Sequence, residues 1–162
     1  EPVEIIKRGR GEAEMLIEHA DAWAGDRSLF SPLLVKLMGW AEGKSAADLA
    51  AASLLADRAQ VQLQQWLAAC DVLVMPPAPQ RAFAHGSAVP ASQADLTAHA
   101  NMAGNPALSL PLPVGAGELP IGMQLVGRIG EEYSLIALAQ AFQQAVGHVP
   151  ALPAAVQQWW PR

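Results

Sequence analysis

The sequence predicts an α/β fold, helices packed on a small sheet, and three features carry that prediction. Apolar residues recur at helical spacing over residues 11–24, 32–42, 46–69 and 131–146. Three shorter apolar runs, Asp71–Met75, Ala107–Leu110 and Ile121–Val126, are bounded by prolines and glycines and read as strands. Hydrophobic residues make up 52% of the chain and charged residues 15%, a composition that buries a core and does not stay disordered.

The 162 residues suit one domain, 1–162, large enough to hold a real core. Free-standing domains carry about a quarter charged residues, so the low charge points to a piece of something larger. The absence of an initiator methionine and the strand-like opening, Glu1-Pro-Val-Glu-Ile-Ile, fit a trimmed or excised segment and show no signal-peptide anatomy. A net charge of −5 with scattered basic residues argues against nucleic acid and against an anionic membrane surface. No apolar run approaches the ~20 residues needed to span a bilayer. Cys70 is the one cysteine, and its place on a helical stripe predicts a buried, reduced thiol, hence a cytoplasmic setting.

Taken in order, Val3–Ile6 reads as a short strand. Gly11–Ala24 reads as a helix with Ala13, Leu16, Ile17, Ala20, Trp23 and Ala24 on one face, stopped by Gly25. Ser31-Pro32 opens the next helix, serine as N-cap and proline in the first turn, and Gly43 ends it. Ser45-Ala-Ala-Asp48 is a capping arrangement that starts a long helix running towards Ala69. The packing stripe of that helix is Leu49, Ala52, Ala56, Ala59, Leu63, Trp66, Leu67 and Cys70. Asp71–Met75, closed by Pro76-Pro77, reads as a strand buried on both faces. Residues 76–93 carry no sustained period and read as a long loop, which in a compact domain is usually functional. Asp95–Ala103 is a short helix with Ser92 as its expected cap. Gly104 then takes a left-handed cap before Pro106, which cannot continue a helix. Two strands joined by the loop containing Gly115, Gly117 and Pro120 follow as an antiparallel hairpin. Gly122, Gly127 and Gly130 mark bulges, close backbone approaches or ends. Glu131–Val146 is the clearest helix, with Leu135, Leu138, Ala139, Phe142, Ala145 and Val146 on one face, and Gly147 ends it. The tail with Pro150, Pro153 and Trp159-Trp160 is expected to lie along a parent surface or cross to a partner.

The stretch from Thr97 to Gly130 resembles the C-terminal part of amidase signature enzymes, and the resemblance runs over most of the chain, strongest from Asp71 to Val146. Asn101, Gly104, Pro106, Ala107, Ser109 and Pro111 match the family's N-x-x-G-x-P-A-x-S-x-P series. Leu119, Pro120, Gly122, Gln124, Leu125 and Gly127 match G-L-P-x-G-x-Q-L-x-G, except that Glu118 stands where the family has glycine and Gly117 lies one place earlier. The resemblance implies that the sheet is mixed and continues into strands outside this chain. It implies amide hydrolysis or transfer by a serine, a second serine on a cis peptide and a lysine, all in the portion that precedes this segment. It also implies that the loop after Asp71–Met75 reaches the substrate cavity, which makes Met75, Ala78 and Phe83 candidate pocket residues. Met75 stands where the family has a hydroxyl residue, so the wall would be more apolar.

The residues themselves supply no catalytic group. There is no Ser-Ser pair, no glycine-serine-rich loop and no G-x-S-x-G elbow, and Lys7, Lys36 and Lys44 lie away from serine-rich turns. Ser109 reads as a strand residue. His19, His85, His99 and His148 share no metal-ligand spacing, so neither a metal nor a cofactor is expected. His85, in the pocket-side loop, is the one histidine with a modest claim to touch substrate. Gly115-Ala-Gly117 lacks the helix and lysine of a phosphate loop. Asn101 and Gln124 are expected to hydrogen-bond loop backbone, with Gly104, Pro106 and Gly122 as the other structural positions. The expected partners are the remainder of the amidase domain, a small-molecule amide and a second copy of the chain. The rival reading is a non-catalytic amidase-like module that binds or dimerises, because cut sheets leave edges that add strands.

Overall fold

The computed structural model describes residues 11–115 and 117–147. The predicted strand at Val3–Ile6, His148 and the proline- and tryptophan-containing tail lie outside them. Two compact units are distinguished, one of residues 11–65 with Asn101–Ala103, the other of residues 66–100 with 104–147.

The first unit is helical. Helix α1 covers residues 11–18 and is separated from α2 (Ala20–Gly25) by His19, whose backbone at φ −111°, ψ 20° leaves the helical well. The single helix expected over 11–24 is therefore broken, and it stops at Asp26, one residue past Gly25. Asp26 accepts a hydrogen bond from the Ser28 N–H at 2.9 Å and opens a 3-10 turn, Arg27–Leu29. Helix α3 (Pro32–Glu42) begins as predicted, with Ser31 Oγ accepting from the Leu34 N–H at 3.3 Å and Pro32 in its first turn. Trp23 ties this corner together. Its ring meets Phe30 edge-on at 5.7 Å, its Nε1 donates to Glu42 Oε1, and the Arg27 guanidinium lies 4.0 Å over its face while pairing with Glu42 at 2.9 Å.

Helix α4 (Ala46–Ala69) opens on the Ser45–Asp48 box: the Asp48 N–H donates to Ser45 Oγ, and the Ser45 N–H and Oγ–H both donate to Asp48 Oδ2. Ala52, Ala56, Leu63 and Leu67 of the predicted stripe are buried. Trp66 is not, with 56% of its surface exposed, and Cys70 is half-buried. The stripe is narrower than the apolar sequence pattern, because the helix supplies more apolar residues than the described residues cover.

The second unit holds the sheet. Strands β1 (Leu73–Met75), β2 (Ala107–Leu112) and β3 (Ile121–Val126) are ordered β1-β3-β2. Both pairings are antiparallel, with Met75 and Ser109 each opposite Gln124 and Gly122 opposite Pro111. Among the described residues the sheet is thus antiparallel throughout, whereas a mixed sheet was expected; a parallel pair would need a strand from outside them. The predicted hairpin is present. The turn is carried by Gly117 at φ +82°, with the Glu118 N–H bonded to Gly115 O, so the glycine displaced by one position in the motif supplies the left-handed residue. The strand expected to be buried on both faces, β1, lies at an edge of the sheet among the described residues, and Val74 is 59% exposed.

Helix α5 (Asp95–Ala103) starts without a side-chain cap; Ser92 offers only its backbone carbonyl, which accepts from the Asp95 N–H. It ends on Gly104 at φ +69°, the left-handed cap expected ahead of Pro106. Helix α6 (Glu132–Val146) packs on β2 and ends on Gly147 at φ +64°. Leu110, Leu125, Leu135 and Ala139 form the core of this unit, joined by Val72, Leu108, Met123 and Phe142. Leu138 and Val146, expected on the same face as Leu135, remain partly exposed.

Candidate functional site

The loop that follows β1 has no regular secondary structure from Pro76 until the turns that lead into α5. Proline fixes φ and removes a hydrogen-bond donor, so Pro76, Pro77 and Pro79 keep the chain out of the sheet ladder. Residues 76–83 form one wall of a cavity of about 420 Å³, open on one side. Pro120, Ile121 and Gly122, at the start of β3, form the facing wall, and Gln93 completes it. The close approach of the walls depends on Gly122, where a Cβ would stand 2.7 Å from Pro77 Cγ.

Ala78 and Phe83 line this cavity. Met75 does not; it ends β1, half-buried and paired with Gln124. The polar lining residues, Gln80, Arg81 and Gln93, were not singled out by the sequence pattern. Gln80 Nε2 donates to Gln93 Oε1, and Ser92 Oγ donates to Gln80 Oε1 at 3.4 Å. Arg81 Nη1 lies 3.9 Å from Glu118 Oε2, with both side chains largely exposed. Arg81 is the lone basic residue in a stretch of proline and alanine, and that isolation was the available signal.

The structural positions of the motif fall into two groups. Gln124 is 3% exposed and its Nε2 donates to Leu96 O at 3.0 Å, which ties β3 to the first turn of α5. Gly104 and Pro106 form the turn out of α5, where Pro106 O accepts from the Gly127 N–H at 3.0 Å. Asn101 is exposed on α5. The asparagine that reaches backbone is Asn105, buried, with its Nδ2 donating to Gly127 O at 2.8 Å. Arg128 was also missed. Its Nε donates to Leu67 O at 2.9 Å and its Nη2 to Cys70 O at 3.0 Å, satisfying carbonyls left without helical partners at the end of α4.

His85 lies at an exposed turn of the loop and does not line the cavity, and Ser109 sits within β2. His19 meets Phe30 edge-on at 5.9 Å. Among the described residues no group of His, Cys, Asp and Glu side chains is placed to hold a metal ion, and no helix is long and apolar enough to cross a membrane. The lining is mostly apolar, and among the described residues that form it Arg81 is the one charged side chain.

Comparison with known proteins gives this wall a context. A glutamyl-tRNA(Gln) amidotransferase subunit of Xanthobacter autotrophicus is 34% identical over 96 residues, covering 56% of this chain and 19% of the relative. The chain therefore spans about a fifth of the length of that relative. A crystal structure of an amidase superposes with a TM-score of 0.78 at 23% identity, over 90% of this chain and 36% of the other. A Kluyveromyces lactis allophanate hydrolase superposes with a TM-score of 0.74 at 25% identity, over 90% and 26%. The amidase family model matches residues 24–136, well over half of the sequence, and the chain belongs to the amidase family.

Proposed function

We propose that this chain is the C-terminal portion of an amidase signature domain, a single functional piece over 1–162 that supplies one wall of the substrate cavity. The parent enzyme would hydrolyse or transfer at a carbon–nitrogen amide bond. A serine would attack the carbonyl, a neutral lysine would take its proton through a second serine on a cis peptide, and backbone donors would hold the tetrahedral oxyanion. Those residues lie outside this chain, so the chain alone is catalytically silent. Amide transfer and hydrolysis, named respectively by the amidotransferase and the allophanate hydrolase above, both fall within this reading.

The observation that carries the reading is the cavity itself. Two segments distant in sequence, 76–83 and 120–122, wall one concavity, and it is lined by Ala78 and Phe83, two of the three pocket candidates that the resemblance implies, though not by Met75. Its volume is within the range of small-molecule sites. A lone half-buried thiol accords with a cytoplasmic protein.

The test is ammonia release from a panel of small amides, measured on the natural protein isolated from its source and on the 162-residue chain. Activity in a natural protein about three times this size, with none in the 162-residue chain, is the expected result. A natural protein of 17.1 kDa without activity would sink the amidase reading. The exposed edge at Val74 would then favour a binding or dimerising module, since such edges accept added strands.

A further inference from the structure

Among the described residues that line the cavity, Arg81 is the single charged side chain. The two polar neutral residues, Gln80 and Gln93, are already bonded to one another, and Ser92 holds the Gln80 oxygen. Prolines, alanines, Ile121 and Phe83 make up most of the remaining wall. A charge-assisted Arg–carboxylate hydrogen bond closes to about 2.7–2.9 Å. The 3.9 Å separation of Arg81 from Glu118 is far longer, so the guanidinium keeps its donors uncommitted. With 65% of its side chain exposed, it also keeps an approach from solvent.

We propose that this cavity takes a carboxylate-bearing amide, with the Arg81 guanidinium binding the carboxylate while Pro77 and Phe83 cover the carbon skeleton. Glu118, in the turn between β2 and β3, is an internal competitor for the same guanidinium. The amide part of the ligand rests on the amidase reading above; the selection for negative charge rests on the cavity alone. Arg81 is thus a specificity-determining residue, and Glu118 tunes it.

The probes are hippurate, which carries an aromatic ring, an amide and a carboxylate, and its uncharged analogue hippuramide. Each is titrated into the full 162-residue chain while the amide resonances of Gly122, Gln80 and Gln93 are followed by NMR. Hippurate is expected to bind about fivefold more tightly than hippuramide at low salt, the upper end for an exposed pair, and to lose most of that advantage in about 0.5 M salt. Arg81→Gln removes the advantage, whereas Arg81→Lys keeps part of it. Glu118→Gln acts in the opposite direction and tightens hippurate binding, a gain that an unfolded variant would not show. Equal binding of the two probes, an advantage that survives Arg81→Gln, or no binding of either overturns the proposal. Amide hydrolysis by the natural protein that is indifferent to a substrate carboxylate also overturns it and leaves the amidase reading standing. Arg81-dependent hippurate binding in a protein without amide hydrolysis upholds it and overturns that reading.

Discussion

A Cβ placed on Gly122 would stand 2.7 Å from Pro77 Cγ, inside any normal contact, and a proline ring has little freedom to swing aside. Gly122→Ala is therefore expected to cost about 1–3 kcal/mol, as overpacking does, and to push the cavity walls apart. A lowered urea midpoint with unchanged slope would show the first effect, and displaced Pro77 and Ile121 resonances the second. Asn105 is a second pivot. Asn105→Ala leaves the Gly127 carbonyl buried without its side-chain donor, with an expected loss of about 1–3 kcal/mol in chemical denaturation. The resemblance led to Asn101 and Gln124 as residues that hydrogen-bond loop backbone; Gln124 Nε2 donates instead to Leu96 O in α5. It did not reveal that Asn105 is the asparagine that reaches the backbone just past β3, because two asparagines four residues apart differ only in where the α5 turn aims them.

The starts of α3 and α4 were legible in the sequence because caps act within three residues, whereas the Ser92 cap expected for α5 is absent. Ser31→Ala is expected to destabilise by about 1 kcal/mol, checked by thermal or urea unfolding. At the start of α4, hydrogen bonds from the Ser45 side chain first, and its backbone second, hold the Asp48 carboxyl below its ordinary value of 3.8. A carboxylate whose pKa is depressed on folding adds stability above its unfolded pKa, and that stability is lost as pH falls through the lowered folded value. Hydrogen exchange in the first turn of α4 should therefore quicken as pH drops below about 3.8, after correction for intrinsic rates, and Ser45→Ala should weaken that dependence. Helix ends were less legible. Arg128 satisfies carbonyls of α4 from 58 and 61 residues away, and no local spacing announces so distant a donor. The same limit explains Trp66 and β1. Apolar periodicity marks which residues are able to be buried, whereas burial requires a neighbour, and Trp66 and Val74 lack enough of one among the described residues.

At the scale of the molecule, the amidase reading proposed above assigns the nucleophile to a portion outside this chain. Adding back the remainder of the domain is expected to restore ammonia release to the 162-residue chain, which a mixing or co-expression assay would detect. The family, the α/β class, the hairpin and the Ser31 and Ser45 caps were determined by the sequence alone, since each depends on residues close in the chain or on an ordered motif. Tertiary structure decided the rest. It put Arg81 into the cavity and left Met75 out of its lining, chose Asn105 over Asn101 as the buried anchor, and made β1 an edge among the described residues. Each of those outcomes turns on which distant segments meet. Local propensity carries no term for that, because the free energy that settles it is the packing and hydrogen bonding between segments tens of residues apart.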